Sequence, residues 1–151
     1  MKAFRLAAAG TAVAVVVVDQ LTKIWARTAL DDTTIEVIPG FLRLALAENS
    51  GAAFGFFKGG GQVIAVFALV AVGIIFFAFR AVEHRADLFG LGLVLGGAVG
   101  NLVDRLTRGG GLLDGPVTDW IDLWFIPNFN VADASISIGV ALLLLGALRR
   151  P

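Results

Sequence analysis

"VADASISIGVALLLLGAL" (residues 131–148) decides the fold. Beyond Asp133 it has no charge, and its length matches the roughly 20 apolar residues that cross a bilayer as a helix. Three further runs share this character: "FRLAAAGTAVAVVVVDQLTKIWA" (about 4–26), "GQVIAVFALVAVGIIFFAF" (about 61–79) and "LFGLGLVLGGAVGNLVDRL" (about 88–106). The third carries glycines at 90, 92, 96, 97 and 100, which weaken a soluble helix but permit close helix contact in a membrane. The first run follows Lys2 and Arg5, as in a cleaved signal peptide. It is too long for one, lacks a small-residue exit and continues into "DQLTK".

Composition agrees. Of 151 residues, 58% are hydrophobic and 16% charged, with 12 basic and 12 acidic side chains in balance. Mean hydropathy is +0.87. Ordinary soluble domains are about 45–50% apolar. There is no Cys, which removes disulfides, thiol nucleophiles and thiolate metal sites. The one His, His84, makes a histidine-built metal centre unsuitable, and the zero net charge gives no sign of a nucleic-acid partner.

The expected fold is therefore an all-α membrane protein. It is a four-helix transmembrane bundle forming one integral domain over 1–151, with a small extracytoplasmic β-sheet and a connecting loop. An even number of spans puts both termini on one side. The basic residues are denser at the tails and in the 80–87 turn than in the long connections 27–60 and 107–130, which favours cytoplasmic termini. "FLRLALA" (41–47) reads as a strand, with "TIEVIPG" (34–40) as its partner, and "GGGLLDGP" (109–116) as a flexible turn.

In this topology the polar residues converge. Asp19 and Lys23, Glu48 and Asn49, Asn101, Asp104 and Arg105, Asp119 and Asp122, and Asn130 and Asp133 all fall at one end of the bundle. Ionisable groups at membrane depth are expensive and point to function. Each also has a structural reading. Asp19 and Lys23 stand at i and i+4 and suit a local ion pair. Asn101, Asp104 and Arg105 suit a helix end, and Asn130 or Asp133 suits the N-cap of the fourth span. Asp119 and Asp122 read equally well as loop charges.

The available chemistry is narrow. Ser50 with Lys23 would form a nucleophile–base pair, but Asp19 one turn away holds the amine protonated. Carboxylates remain. Two held close share a proton, so one accepts a proton from water while the other polarises a carbonyl or protonates a leaving amine. Asp104 and Asp119 compete for the role beside Asp133, and residue type does not rank them. A small proton-coupled transporter or a glycine-packed assembly factor would use the same residue types. The transporter would spread its charges over several depths.

Five segments in order, "DQLTK" (19–23), "ENSGAAFG" (48–55), "GGAVGNLVDRL" (96–106), "VTDWID" (117–122) and "FNVADASI" (129–136), resemble the lipoprotein signal peptidases (signal peptidase II), integral membrane aspartic peptidases of bacteria. The resemblance runs through nearly the whole chain. It implies catalytic Asp119 and Asp133, 14 residues apart in sequence. It implies substrate contacts at Asn49, Gly51, Arg105 and Asn130, and structural support from Asp19, Lys23, Asn101, Asp104 and Ala132. No metal or cofactor is implied. The implied substrate is a diacylglyceryl-modified prolipoprotein in the bacterial cytoplasmic membrane, cut just before its lipidated Cys near the outer face, with membrane lipid as a partner; a monomer is the default expectation. Three features depart from the pattern. Glu48 stands where a basic residue often precedes the Asn, Trp120 replaces a more usual Phe, and the "RGGGLLDG" connection is long, with Asp114 as an added loop charge.

Overall fold

The computed structural model describes residues 1–51, 60–82 and 84–149. Residues 52–55 of the "ENSGAAFG" segment, and the rest of that connection up to 59, lie outside the described residues. The element order is α1 (Lys2–Ala29), β1 (Ile35–Ile38), β2 (Leu42–Asn49), α2 (Gly60–Ala81), α3 (Arg85–Thr107), β3 (Val117–Leu123), β4 (Ile126–Phe129) and α4 (Val131–Leu148). All four helices are long and apolar enough to cross a membrane.

α3 is the centre of the bundle. Its apolar window is 61% buried, against 6–17% for the other three helices. The glycines make this possible. A Cβ on Gly100 would lie 2.7 Å from Asp19 Oδ2, and one on Gly97 would collide with the carbonyl oxygen of Ala132. Their absence lets α1 and α4 approach α3 to backbone contact, the small-residue packing that substitutes for the hydrophobic effect inside lipid. The outward faces of α1, α2 and α4 present exposed Leu, Val, Ile and Phe side chains, as lipid-facing helices require.

The sheet is larger than the two strands expected from the sequence. Four antiparallel strands run in the order β1-β2-β3-β4, so the second connection contributes half of it. β3 pairs with β2 through Asn49↔Val117, Glu48↔Thr118 and Ala47↔Asp119, with a register shift between Leu44 and Ala47. Pro127 lies in β4, at the sheet edge, where a missing N–H is tolerated. Asp122, for which a loop charge is one of two readings, is a strand residue paired with Arg43 at 2.5 Å across the register. Asp114 does sit in a turn, accepting the Gly111 N–H at 3.0 Å. The sheet stands at the end of the bundle where α1 and α3 finish and α2 and α4 begin.

Candidate active site

The base of the site is a buried ion network between α1 and α3. Lys23 lies 2.8 Å from Asp19 and 3.2 Å from Asp104, and none of the three is more than 1% exposed. The i,i+4 pair expected on α1 is thus real but is only part of the arrangement. Lys23 Nζ also donates to Asn101 Oδ1 at 2.8 Å. Gln20 donates to Asp19, Asp104 and the Gly100 carbonyl at 3.0–3.2 Å. Asp104 Oδ2 further accepts the backbone N–H of Thr118 at 2.9 Å, and Asp19 Oδ1 accepts that of Ala132 at 2.9 Å. Buried charges persist only when so fully paired. This network fastens β3 and the first turn of α4 to the bundle.

α4 begins with a reciprocal cap. Asn130 Oδ1 accepts the Asp133 N–H at 2.9 Å, and Asp133 Oδ2 accepts the Asn130 N–H at 3.3 Å. Asn130 is thus the N-cap, and Asp133 at N3 completes a capping box with it. The cap leaves Asp133 Oδ1 free to accept Asn101 Nδ2 at 2.8 Å.

The second carboxylate comes from β3. Asp119 Oδ1 accepts Asn130 Nδ2 at 2.6 Å and Oδ2 accepts Asn49 Nδ2 at 3.1 Å. Asp119 is only 2% exposed. Burial pushes its carboxyl up to about 6, and the neighbouring charge of Asp133 adds to the rise. Donation from Asn49 and Asn130 and the charge of Lys23 oppose it. Asp104 stands apart from this pair, since its oxygens are held by Lys23, Gln20 and Thr118.

A cavity of about 500 Å³ opens beside Asp133, between α2, α3 and α4, with Asp119 behind its lining residue Asn49. Its polar end carries Asn49, Asn101, Arg105 and Asp133, with Gly51 at the lip. Its other walls are apolar, including Ile64, Phe67, Val94 and Ile136. Gly51 turns the chain at φ +77°, a backbone state that favours Gly. Arg105 is 5% exposed, with Nη1 3.5 Å from the Gly115 carbonyl.

Most of the residues singled out in the sequence meet here. Asn49, Gly51 and Arg105 line the cavity. Asn130 is fully buried and links the two carboxylates. Asn101, expected only to support, lines the cavity and holds Asp133. Ala132 is buried against Asp19 through its N–H. Gln20, Arg27, Arg108 and Thr118 were not singled out. Gln20 lies inside an apolar run next to Asp19, a visible signal. The other three act through contacts between distant segments, which nothing local announces.

Fold and site together define a polytopic membrane protein with a carboxylate-based site at one end of its bundle. The family model for signal peptidase (SPase) II matches residues 11–149. A lipoprotein signal peptidase of Symbiobacterium thermophilum is 45% identical over 138 residues, covering 89% of each chain. One from Synechocystis sp. is 40% identical over 138 residues, covering 88% of this chain and 82% of that one. A bacterial membrane enzyme solved by the in meso method at 1.9 Å superposes with a TM-score of 0.84 at 30% identity, over 96% of this chain and 94% of that one. The chain belongs to the signal peptidase II family and is an aspartic-type membrane peptidase.

Proposed function

We propose that this enzyme removes the signal peptide from diacylglyceryl-modified prolipoproteins, cutting just before the lipidated Cys with Asp119 and Asp133 as its catalytic pair. The observation that carries the reading is the single Asn130 side chain bonded to Asp119 and capping the helix that bears Asp133, at the polar end of a cavity with apolar walls. Asp19, Asp104, Asp119 and Asp133 face the cations Lys23 and Arg105. Four carboxylates against two cations favour one retained proton. The more deeply buried Asp119 is its natural holder.

In the first step Asp133 takes a proton from water, whose oxygen attacks the scissile carbonyl carbon. Asp119 gives its proton to the carbonyl oxygen. The resulting diol collapses as Asp133 returns a proton to the leaving amine and Asp119 recovers its own. Asn49 stands between Asp119 and the cavity, so its amide is the group a bound peptide carbonyl displaces. Arg105 offers a planar fork of donors to backbone carbonyls or lipid ester oxygens. The apolar walls suit acyl chains. Anchoring by lipid and signal helix holds the scissile bond at the depth of the pair and reduces the entropic cost of reaction.

Phe41, Trp124 and Phe125 cluster on the exposed surface of the sheet, with ring centres 5.5–6.0 Å apart. Aromatic groups favour the headgroup region, consistent with a sheet resting at a membrane interface; we place that interface outside because the tails and the 80–87 turn carry the denser basic residues. One chain carries both carboxylates, so a monomer suffices.

The test is cleavage of a synthetic diacylglyceryl-prolipoprotein peptide by purified protein in detergent, beside the unlipidated peptide. Cleavage of the lipidated peptide alone, just before Cys, and its loss in Asp119→Asn and Asp133→Asn, is the expected result. Activity retained by either variant overturns the catalytic pair. Equal cleavage of both peptides overturns the lipid requirement.

A further inference from the structure

Strand alternation gives β2 and β3 two different faces. Asn49 and Val117 line the cavity, with Asp119 behind Asn49. Glu48 and Thr118, paired in register, turn the other way. On that far side Arg108, the C-cap of α3, donates through Nη1 to Thr118 Oγ1 at 2.6 Å and to the Pro116 carbonyl at 2.8 Å. Its Nη2 lies 2.6 Å from Glu48 Oε1. Arg27, in the last turn of α1, donates to the same Thr118 hydroxyl at 3.0 Å.

Thr118 is completely buried and every polar group it has is engaged. Its N–H goes to Asp104 on α3, its carbonyl accepts from Asn130 at the head of α4 at 3.2 Å, and its hydroxyl takes Arg27 and Arg108. Two guanidinium groups on one neutral hydroxyl exceed what strand pairing requires. The ladder alone constrains the strands poorly, because the β2–β3 register shifts between Leu44 and Ala47, just before the segment that holds Asn49.

We propose that Arg108, locked by Glu48, is a positioning residue that fastens Thr118 so that the next residue, Asp119, stays within reach of Asn49 and of Asp133. This rests on reading Asp119 as half of the catalytic pair. The Glu48 side chain is 56% exposed, and exposed ion pairs contribute little to stability. The effect of the lock therefore falls on the rate. A misplacement of about 1 Å at a reacting group costs up to about a hundredfold.

The test uses the full-length protein in detergent with the diacylglyceryl peptide, with rates expressed per folded enzyme. Arg108→Ala is expected to lower kcat about tenfold, with KM within about twofold of the parent, a smaller loss than outright misplacement. Glu48→Gln is expected to give a weaker loss of the same kind. Arg108→Lys, which keeps a cation beside Glu48, is expected to recover much of the rate. A kcat unchanged in Arg108→Ala, or a loss confined to KM, overturns the positioning role. Should Arg108→Ala not fold, Glu48→Gln replaces it, since it changes one exposed side chain, and an unchanged kcat there overturns the role too. Asp119→Asn is assayed alongside. If it remains active, the catalytic-pair reading fails. If it is dead while Arg108→Ala and Glu48→Gln are fully active, only the positioning role fails.

Discussion

Asn130 donates its side-chain amide to Asp119 Oδ1 at 2.6 Å while its side-chain oxygen caps the helix whose first turn carries Asp133. One residue thus performs a structural and a site-forming task, and substitution separates them. Ser also serves as an N-cap but is too short to replace the amide donor. Asn130→Ser is expected to keep the cap but to melt below the parent, by about 1–3 kcal/mol, because the buried Thr118 carbonyl and Asp119 lose a donor, and to lose about ten- to a hundredfold in kcat, because Asp119 loses its closest donor. Asn130→Ala is expected to lose the same rate and, in addition, about 1 kcal/mol of stability from the missing cap. Thermal unfolding in detergent and peptide cleavage measured on the same preparations check both. Equal rates for Asn130→Ser and the parent would remove Asn130 from the site.

Asp119 also makes stability depend on pH. Its carboxyl titrates at about 6 in the folded protein, against about 3.9 for an ordinary Asp. The fold therefore prefers the neutral form. That contribution is complete below about pH 4 and is lost as pH rises through about 6. Asn at this position cannot ionise. The stability of Asp119→Asn relative to the parent is expected to rise between about pH 4 and 6 and level off above, by an amount on the order of a few kcal/mol. Unfolding measured across this range checks it, and a flat difference would mean that burial does not govern this carboxyl. The shared proton has a kinetic counterpart. In the free enzyme kcat/KM is expected to fall as pH rises through about 6, as Asp119 loses the proton it would give to the scissile carbonyl.

The parts of this arrangement legible in the sequence are those with a local signature. Apolar length marked the four helices, and Asp19, Lys23, Asn101, Asp104 and Asp133 stood out because charges and amides are rare in such runs. β3 and β4 were hidden. "VTDWIDL" breaks the alternation of a half-buried strand, since Asp119 and Asp122 occupy it for site and ion-pair reasons and the β3–β4 register is itself irregular. The β-branched and aromatic residues following Gly115-Pro116 were the available cue. Residue type alone did not rank Asp104 against Asp119, and only the resemblance favoured Asp119. That Lys23 reaches Asp104 from α1 is a fact of helix packing and not of spacing.

Lys23 gives the next expectation. It is fully buried against two carboxylates. Lys23→Met keeps the bulk and removes the charge, leaving Asp19 and Asp104 without their cation. Removing one partner of a buried pair costs about 3–5 kcal/mol, so the variant is expected to accumulate poorly and to melt well below the parent. Adding Asp104→Asn removes one of the stranded charges and is expected to recover part of the loss. Unfolding of the single and double variants in detergent checks this. A Lys23→Met variant as stable as the parent would mean that water or protons already neutralise the network.

Gly97 tests whether close helix packing sets the position of Asp133. A Cβ there would collide with the Ala132 carbonyl and lie 2.7 Å from Ile136 Cγ1, so the first turn of α4 must move away from α3. That movement pulls Asp133 from Asn101, now 2.8 Å away, and Ala132 N–H from Asp19, now 2.9 Å away. Gly97→Ala is expected to lower kcat by about a hundredfold, the size of effect that a displacement near 1 Å produces. Gly73, on α2, is the control. A Cβ there meets nothing within 4 Å, and Ala favours the helix, so Gly73→Ala is expected to cleave at the parent rate and melt no lower. Full activity in Gly97→Ala would mean that the helices separate without moving Asp133, and that the glycine contact serves packing alone.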